Sequence, residues 1–164
     1  MRKILGLAIV VLTFSFSGVK AQNYKFGHIN SQEILKAMPD RDSAEAKIKK
    51  YAESLQDQIE QLQVEFNKKY QDYLQKRATF TDAIREMKEK ELTDMQQRAQ
   101  EYQQVAEQDY QRYQAETMKP VIDKADAAIK KVAKANGFTY IFDTSSGVLL
   151  YFSEQSIDIT PLVK

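Results

Sequence analysis

The chain has 164 residues, a formal charge of +1 and no cysteine, which excludes disulfides, thiolate metal sites and cysteine nucleophiles. The single histidine, His28, cannot form a metal site by itself, and no acid and nucleophile are spaced around it as a triad would require. The length suits one domain of ordinary size, or a small core carrying a long appendage.

Residues 1–21 read as an export signal. Arg2 and Lys3 give a positive start, Ile4 to Phe16 is an apolar run too short to span a bilayer comfortably, and Val19-Lys20-Ala21 ends in a small residue, so cleavage is expected after Ala21. No cysteine follows that could carry a lipid, so the product is expected to be soluble. Removal of the segment leaves 21 basic and 23 acidic residues, a net charge of −2. That balance argues against a nucleic-acid partner.

The mature chain opens with the alternating run Tyr24 to Ile29, read as a strand. Asn30 then caps a short helix, Ile34 to Met38, with Glu33 reaching back; Pro39 ends it, and Asp40 or Asp42 is expected to cap the next. His28 reads as a structural or surface residue within the strand.

From Asp40 to Lys119 there is no glycine, proline or cysteine, and apolar residues recur at steps of three and four. Ile48, Ala52, Leu55, Ile59, Leu62, Phe66 and Tyr73 form one stripe; Leu92, Met95, Ala99, Tyr102, Ala106 and Tyr113 form a second. Continuing the first by sevens reaches 87, 94 and 101 and misses the second, so a single straight helix would rotate its apolar face. Folding the two antiparallel removes the conflict. Leu62 then faces Ala99, Ile59 faces Tyr102, Leu55 faces Ala106, Phe66 faces Met95 and Ile48 faces Tyr113. This register puts the turn near residues 79–82, where Thr79, Thr81 and Asp82 are poor helix formers.

Two features of this hairpin point outward. Apolar side chains exceed what one seam needs: Tyr51, Val64, Tyr70, Leu74, Ile84, Met87, Val105 and Tyr110 lie off the stripes. The stretch from Lys68 to Lys90 holds seven basic residues, Lys68, Lys69, Lys76, Arg77, Arg85, Lys88 and Lys90, against four acidic. The tip is therefore positive and rich in aromatic and methionine side chains. Tyr70, Tyr73, Leu74, Phe80, Ile84, Met87 and Tyr110 are the expected contact residues for a partner. The glutamines of the return arm read as a solvated face.

Pro120 is expected to start a new helix or kink the old one. Ile122, Ala125, Ile129, Val132 and Ala133 then form an amphipathic helix closed by Asn136-Gly137. Phe138 to Phe142 reads as a strand, Asp143 to Gly147 as a turn, and Val148 to Phe152 as a second strand. Ser156 to Ile159 is a short strand candidate, and Thr160-Pro161 should begin a terminal helical turn with Thr160 as its cap. The fold class is α+β: an α/β body of residues 22–39 and 120–164 and a helical arm of residues 40–119. Strands apolar on both faces need a second cover, most simply other subunits, and Phe26, Ile29, Phe138, Tyr140, Phe142, Val148 and Leu150 are the expected assembly residues.

No phosphate-binding loop, calcium loop or nucleophile elbow is present, and the carboxylates lie on charged helix faces. Nothing in the sequence indicates an enzyme or calls for a cofactor or metal.

The order of features does carry a resemblance. A signal peptide, Lys25-Phe-Gly-His-Ile-Asn30, a helical hairpin, a return helix, Gly137-Phe-Thr-Tyr-Ile-Phe-Asp143 and the ending Ile157-Asp-Ile-Thr-Pro-Leu-Val163 together resemble the Skp (OmpH-like) family of periplasmic chaperones. The resemblance covers essentially the whole mature chain. It implies a periplasmic homotrimer with three coiled-coil arms around a cavity, acting without ATP as a holdase for unfolded outer-membrane β-barrel proteins. The best-known members are strongly basic and this mature chain is slightly acidic, so no lipopolysaccharide site is carried over. The rival reading is a structural coiled-coil spacer of the envelope, against which the surplus apolar residues speak; a membrane-surface role for the tip is a third.

Overall fold

The computed structural model describes residues 24–164, so the signal segment and its cleavage site lie outside the described residues. Strand β1, Phe26–Ile29, leads into helix α1, Ser31–Ala37, and then into helix α2, Pro39–Lys76. A 3-10 turn at Arg77–Thr79 connects to helix α3, Asp82–Ala135, followed by strands β2, Tyr140–Asp143, and β3, Ile157–Asp158, and by the terminal helix α4, Thr160–Val163.

The three strands form one parallel sheet in the order β2-β1-β3. Phe26 is opposite Tyr140 and His28 opposite Phe142 on one side, while Gly27 and His28 are opposite Ile157 and Asp158 on the other. Strand alternation gives the sheet two different faces. Ile29 turns inward and is buried with Ile34, Ala125 and the fully buried Ile159, with Leu35, Met38, Ile129, Val132, Phe138, Ile141 and Val163 packed around them. Phe26, Tyr140 and Phe142 are left exposed.

The helix starts follow local chemistry. Asn30 caps α1, its side chain accepting from the Glu33 amide at 3.3 Å, and Glu33 in turn accepts from the Asn30 side-chain amide at 3.3 Å. Neither Asp40 nor Asp42 caps α2. Met38 occupies the cap position without a side-chain bond, and Pro39 takes the first turn, where its missing N–H would have no intrahelical partner. Thr81 caps α3 by accepting from the Ile84 amide at 3.4 Å.

Pro120 does not start a new helix: α3 runs through it from Asp82 to Ala135. An interior proline costs roughly 3 kcal/mol. Packing on both sides offsets that cost, since Tyr113 stacks on Tyr51 before it, while Val121 and Ala125 are buried after it. The helix ends at Asn136, with Gly137 at φ +66°, a left-handed conformation suited to glycine.

The second predicted strand is absent. Among the described residues, 148–152 join no strand, and Val148 and Leu150 are 83% and 94% exposed. The reason lies just upstream. The Asp143 carboxylate accepts from the amide and hydroxyl of Ser31 at 3.2 and 2.6 Å and from the amide and hydroxyl of Ser145 at 2.9 Å each. The Thr144 amide bonds to the Ile29 carbonyl at 2.9 Å. These bonds tie the turn to the end of β1 and the start of α1, so the chain does not double back on β2. Burial raises the Asp143 pKa, but the Ser31 and Ser145 bonds outweigh it and hold the carboxyl below its ordinary range.

At the C-terminus Ile159 is the cap of α4, and Thr160 lies inside the helix rather than capping it. Thr160 is buried because its hydroxyl accepts from the Asn30 amide at 3.2 Å and its own amide donates to Asp158 at 2.8 Å. Those bonds join α4 to the end of β1 and to β3.

Gly27 is closely packed within the body. A Cβ there would lie 2.9 Å from both Ile141 Cδ1 and Phe138 Cε1, and 3.1 Å from the Ile157 carbonyl. Gly27→Ala is therefore expected to destabilise the fold by about 1–3 kcal/mol through overpacking, read as a lower denaturant midpoint. An unchanged midpoint would show that the sheet and helices are less closely packed than this.

Candidate interaction surfaces

Helices α2 and α3 pack side by side with contacts in opposite chain order. Lys69 pairs with Glu91 and the Tyr73 hydroxyl donates to Glu89 near the turn. Nearer the body Tyr51 stacks on Tyr113 at 4.1 Å, where the stripe pattern places Ile48, and Lys124 meets Asp40 at 2.5 Å. All the apolar stripe residues of both helices are buried or half-buried. The stripes fix which side chains remain for solvent.

The expected contact residues divide accordingly. Tyr70, Leu74, Ile84 and Met87 are exposed on the outer part of the arm, Met87 by 58%. Phe80 and Tyr110 are half-buried. Tyr73 is buried in the seam, edge-tilted against Phe80 at 6.3 Å, and its hydroxyl pKa is raised chiefly by the bond to Glu89. It holds the arm together instead of presenting a surface. Val64 and Val105 are exposed by 59% and 54% and belong with the outward set. Their off-stripe spacing was the available signal.

The basic tip is largely neutralised. Lys69 and Lys88 both reach Glu91, Lys76 pairs with Asp72 at 2.5 Å, and Arg85 pairs with Asp82 at 3.3 Å. Among the described residues Lys68, Arg77 and Lys90 make no ion pair. The tip thus offers three uncommitted cations where the residue count gives seven. The hydrogen bonds from Lys69 and Lys88 lower the Glu91 pKa to about 2.

The body has a second outward surface. Phe26 stacks on Tyr140 at 6.0 Å and approaches Tyr24 and Phe142 at 6.3 Å each, and Tyr140 stacks on Phe142 at 6.2 Å. His28 is half-buried beside them, stacked on Phe152 at 4.2 Å with Nδ1 2.9 Å from the Ser156 hydroxyl. Val148, Leu150 and Tyr151 extend this surface almost fully exposed. Of the expected assembly residues, Ile29 and Phe138 belong to the chain's own core, because alternation turns Ile29 to the helices and Phe138 packs under β1. Tyr24, Tyr151 and Phe152 are the aromatic residues of this surface that the sequence reading did not single out.

Among the described residues no group of histidine and carboxylate side chains is placed to hold a metal, and no helix is long and apolar enough to cross a membrane. The family model for Outer membrane protein (OmpH-like) matches residues 25–164. The chain belongs to the OmpH-like family. Among solved structures, the fold is similar to that of a candidate outer membrane chaperone (OmpH-like) from Caulobacter crescentus CB15, with a TM-score of 0.72 and 14% identity. The similarity covers 90% of this chain and 86% of that one. No curated protein matches the sequence. Membership of the OmpH-like family thus rests on the same span that carries both the arm and the aromatic sheet face.

The Glu91 cluster gives a pH test. Its depressed pKa means that the contribution is fully present above the unfolded value near 4.5 and fades as pH falls toward 2. Because both cations and Glu91 are part-exposed, Glu91→Gln should lower the Tm by only about 1–3 °C at pH 7. The difference from wild type should shrink on acidification from pH 4.5 to pH 2, as followed by circular dichroism. A constant difference would remove the cluster from the account.

Proposed function

We propose that this protein is an ATP-independent periplasmic holdase that binds unfolded outer-membrane β-barrel proteins between the helical arms of a homotrimer. The observation that carries the reading is the exposed apolar set on the arm, in a chain whose family is OmpH-like along the same residues. Tyr70, Leu74, Ile84, Met87, Val64 and Val105 lie on two helices whose stripe residues are already buried or half-buried against each other. Exposed apolar groups of this number, held on a rigid support, suit weak contacts with many sequences.

Assembly supplies the second part. The stacked Phe26, Tyr140 and Phe142 face and the exposed 148–152 segment form an apolar surface that the chain does not cover itself. Burying it between subunits would bring three bodies together and leave three antiparallel coiled-coil arms around a shared cavity. Three arms convert individually weak contacts into useful avidity. Lys68 and Arg77 would add a modest attraction for acidic client segments.

Dilution of a urea-unfolded outer-membrane β-barrel protein into buffer with equimolar trimer should give little light scattering. The variant Tyr70→Ser, Leu74→Ser, Ile84→Ser, Met87→Ser should retain its assembly state yet require at least about threefold more protein for equal protection, since each lost contact removes a small part of the apolar burial. Full aggregation in the presence of the unaltered protein would refute the holdase reading.

A further inference from the structure

We infer that the arm carries a subsite midway along the α2–α3 seam that takes one aromatic or large aliphatic side chain of an extended polypeptide; this rests on the holdase reading. The cause is local underpacking. Ala52 of α2 and Ala106 of α3 place two small side chains on adjoining levels of the seam. They leave a recess of about 230 Å³, to which Leu55, Ile59 and Tyr110 contribute apolar and aromatic wall. An apolar cavity of about 150 Å³ already accommodates a benzene ring, so one large side chain fits.

The polar part of the lining favours a polypeptide over a free hydrophobe. Gln56 and Gln103 lie on the recess from opposite helices, both exposed, and among the described residues neither side-chain amide is engaged in a hydrogen bond. Each offers a donor and an acceptor, the pair that an unpaired backbone N–H and C=O require. The one charged lining residue, Glu107, is occupied by Gln111 at 2.8 Å. The recess nearer the turn, about 190 Å³, sets Tyr73, Phe80 and Leu92 beside Lys69, Asp72, Lys88 and Glu91, whose ion pairs would have to be disturbed to receive an apolar group.

The chain has no tryptophan, so Tyr110→Trp places a single indole on the recess. Its emission is titrated with nine-residue Gly/Ser peptides carrying a central Phe or a central Ala. The Phe peptide should give a saturable shift at least about threefold tighter than the Ala peptide. Adding Ala106→Leu should abolish that preference by filling the recess, and adding Gln103→Ala, at an exposed position that leaves the seam intact, should weaken it. Val64→Trp, on the exposed surface of α2, should give no saturable shift. Equal responses to the two peptides, a response that survives both added substitutions, or an equal response from Val64→Trp would overturn the subsite. So would an emission change on dilution without peptide, which would assign the recess to a second copy of the chain. Because the titration reads peptide binding and the scattering assay reads aggregation, a protein that fails to protect its clients while keeping the Phe preference would refute the holdase reading and not the subsite.

Discussion

The fold depends on the pairing of one four-residue strand with two segments more than a hundred positions away. Phe26 of β1 pairs with Tyr140 on one edge, and Gly27 pairs with Ile157 on the other. Everything between Ser31 and Asn136 is helical or turn and leaves the body and comes back as the arm. The body is therefore closed only when both β2 and β3 meet β1, and Ile159, fully buried beyond β3, is the side chain that seals it. Parallel pairing over such separations carries a large loop-closure cost, which the preformed helical arm reduces by bringing its two ends together.

This arrangement separates cohesion from display. Within the arm, stripe residues face one another and the Lys69–Glu91 ion pair reinforces their register near the turn. Within the body, Ile29, Ile34, Ala125 and Ile159 do the same. What is left over is apolar in both places: Tyr70, Leu74, Ile84 and Met87 on the arm, and Phe26, Tyr140, Phe142 and the 148–152 segment on the sheet. The proposed function assigns the first set to clients and the second to sister subunits, and both assignments draw on the same physical fact of uncovered apolar area.

How much of this the sequence carried depends on whether the signal was local or long-range. Helical periodicity is local, so the stripes identified the seam residues, and Asn30, Thr81 and Gly137 are found where capping and chain-reversal chemistry would use them. Strand pairing is long-range. Val148 to Phe152 has every strand-like property, yet the bonds of Asp143 to Ser31 and Ser145 commit the turn elsewhere. Ile29 looked equivalent to Phe26 until the sheet's two faces were distinguished. Tyr73 falls on the first stripe and also stands with Phe80 among the expected contact residues; its burial and its bond to Glu89 of the partner helix assign it to the seam. Of the two expectations for Pro120, a new helix is not found, for the same reason: propensity is local, and the packing of Tyr113, Val121 and Ala125 that keeps the helix continuous is tertiary.

The central claim is that the uncovered sheet face joins three chains and leaves their arms free. Solution mass and shape, by light scattering coupled to X-ray scattering on the mature protein, test it most directly. The account predicts three times the mass of one chain, independent of concentration over a wide range, with the elongated profile of a body bearing projecting arms. A compact particle with the mass of a single chain would contradict it.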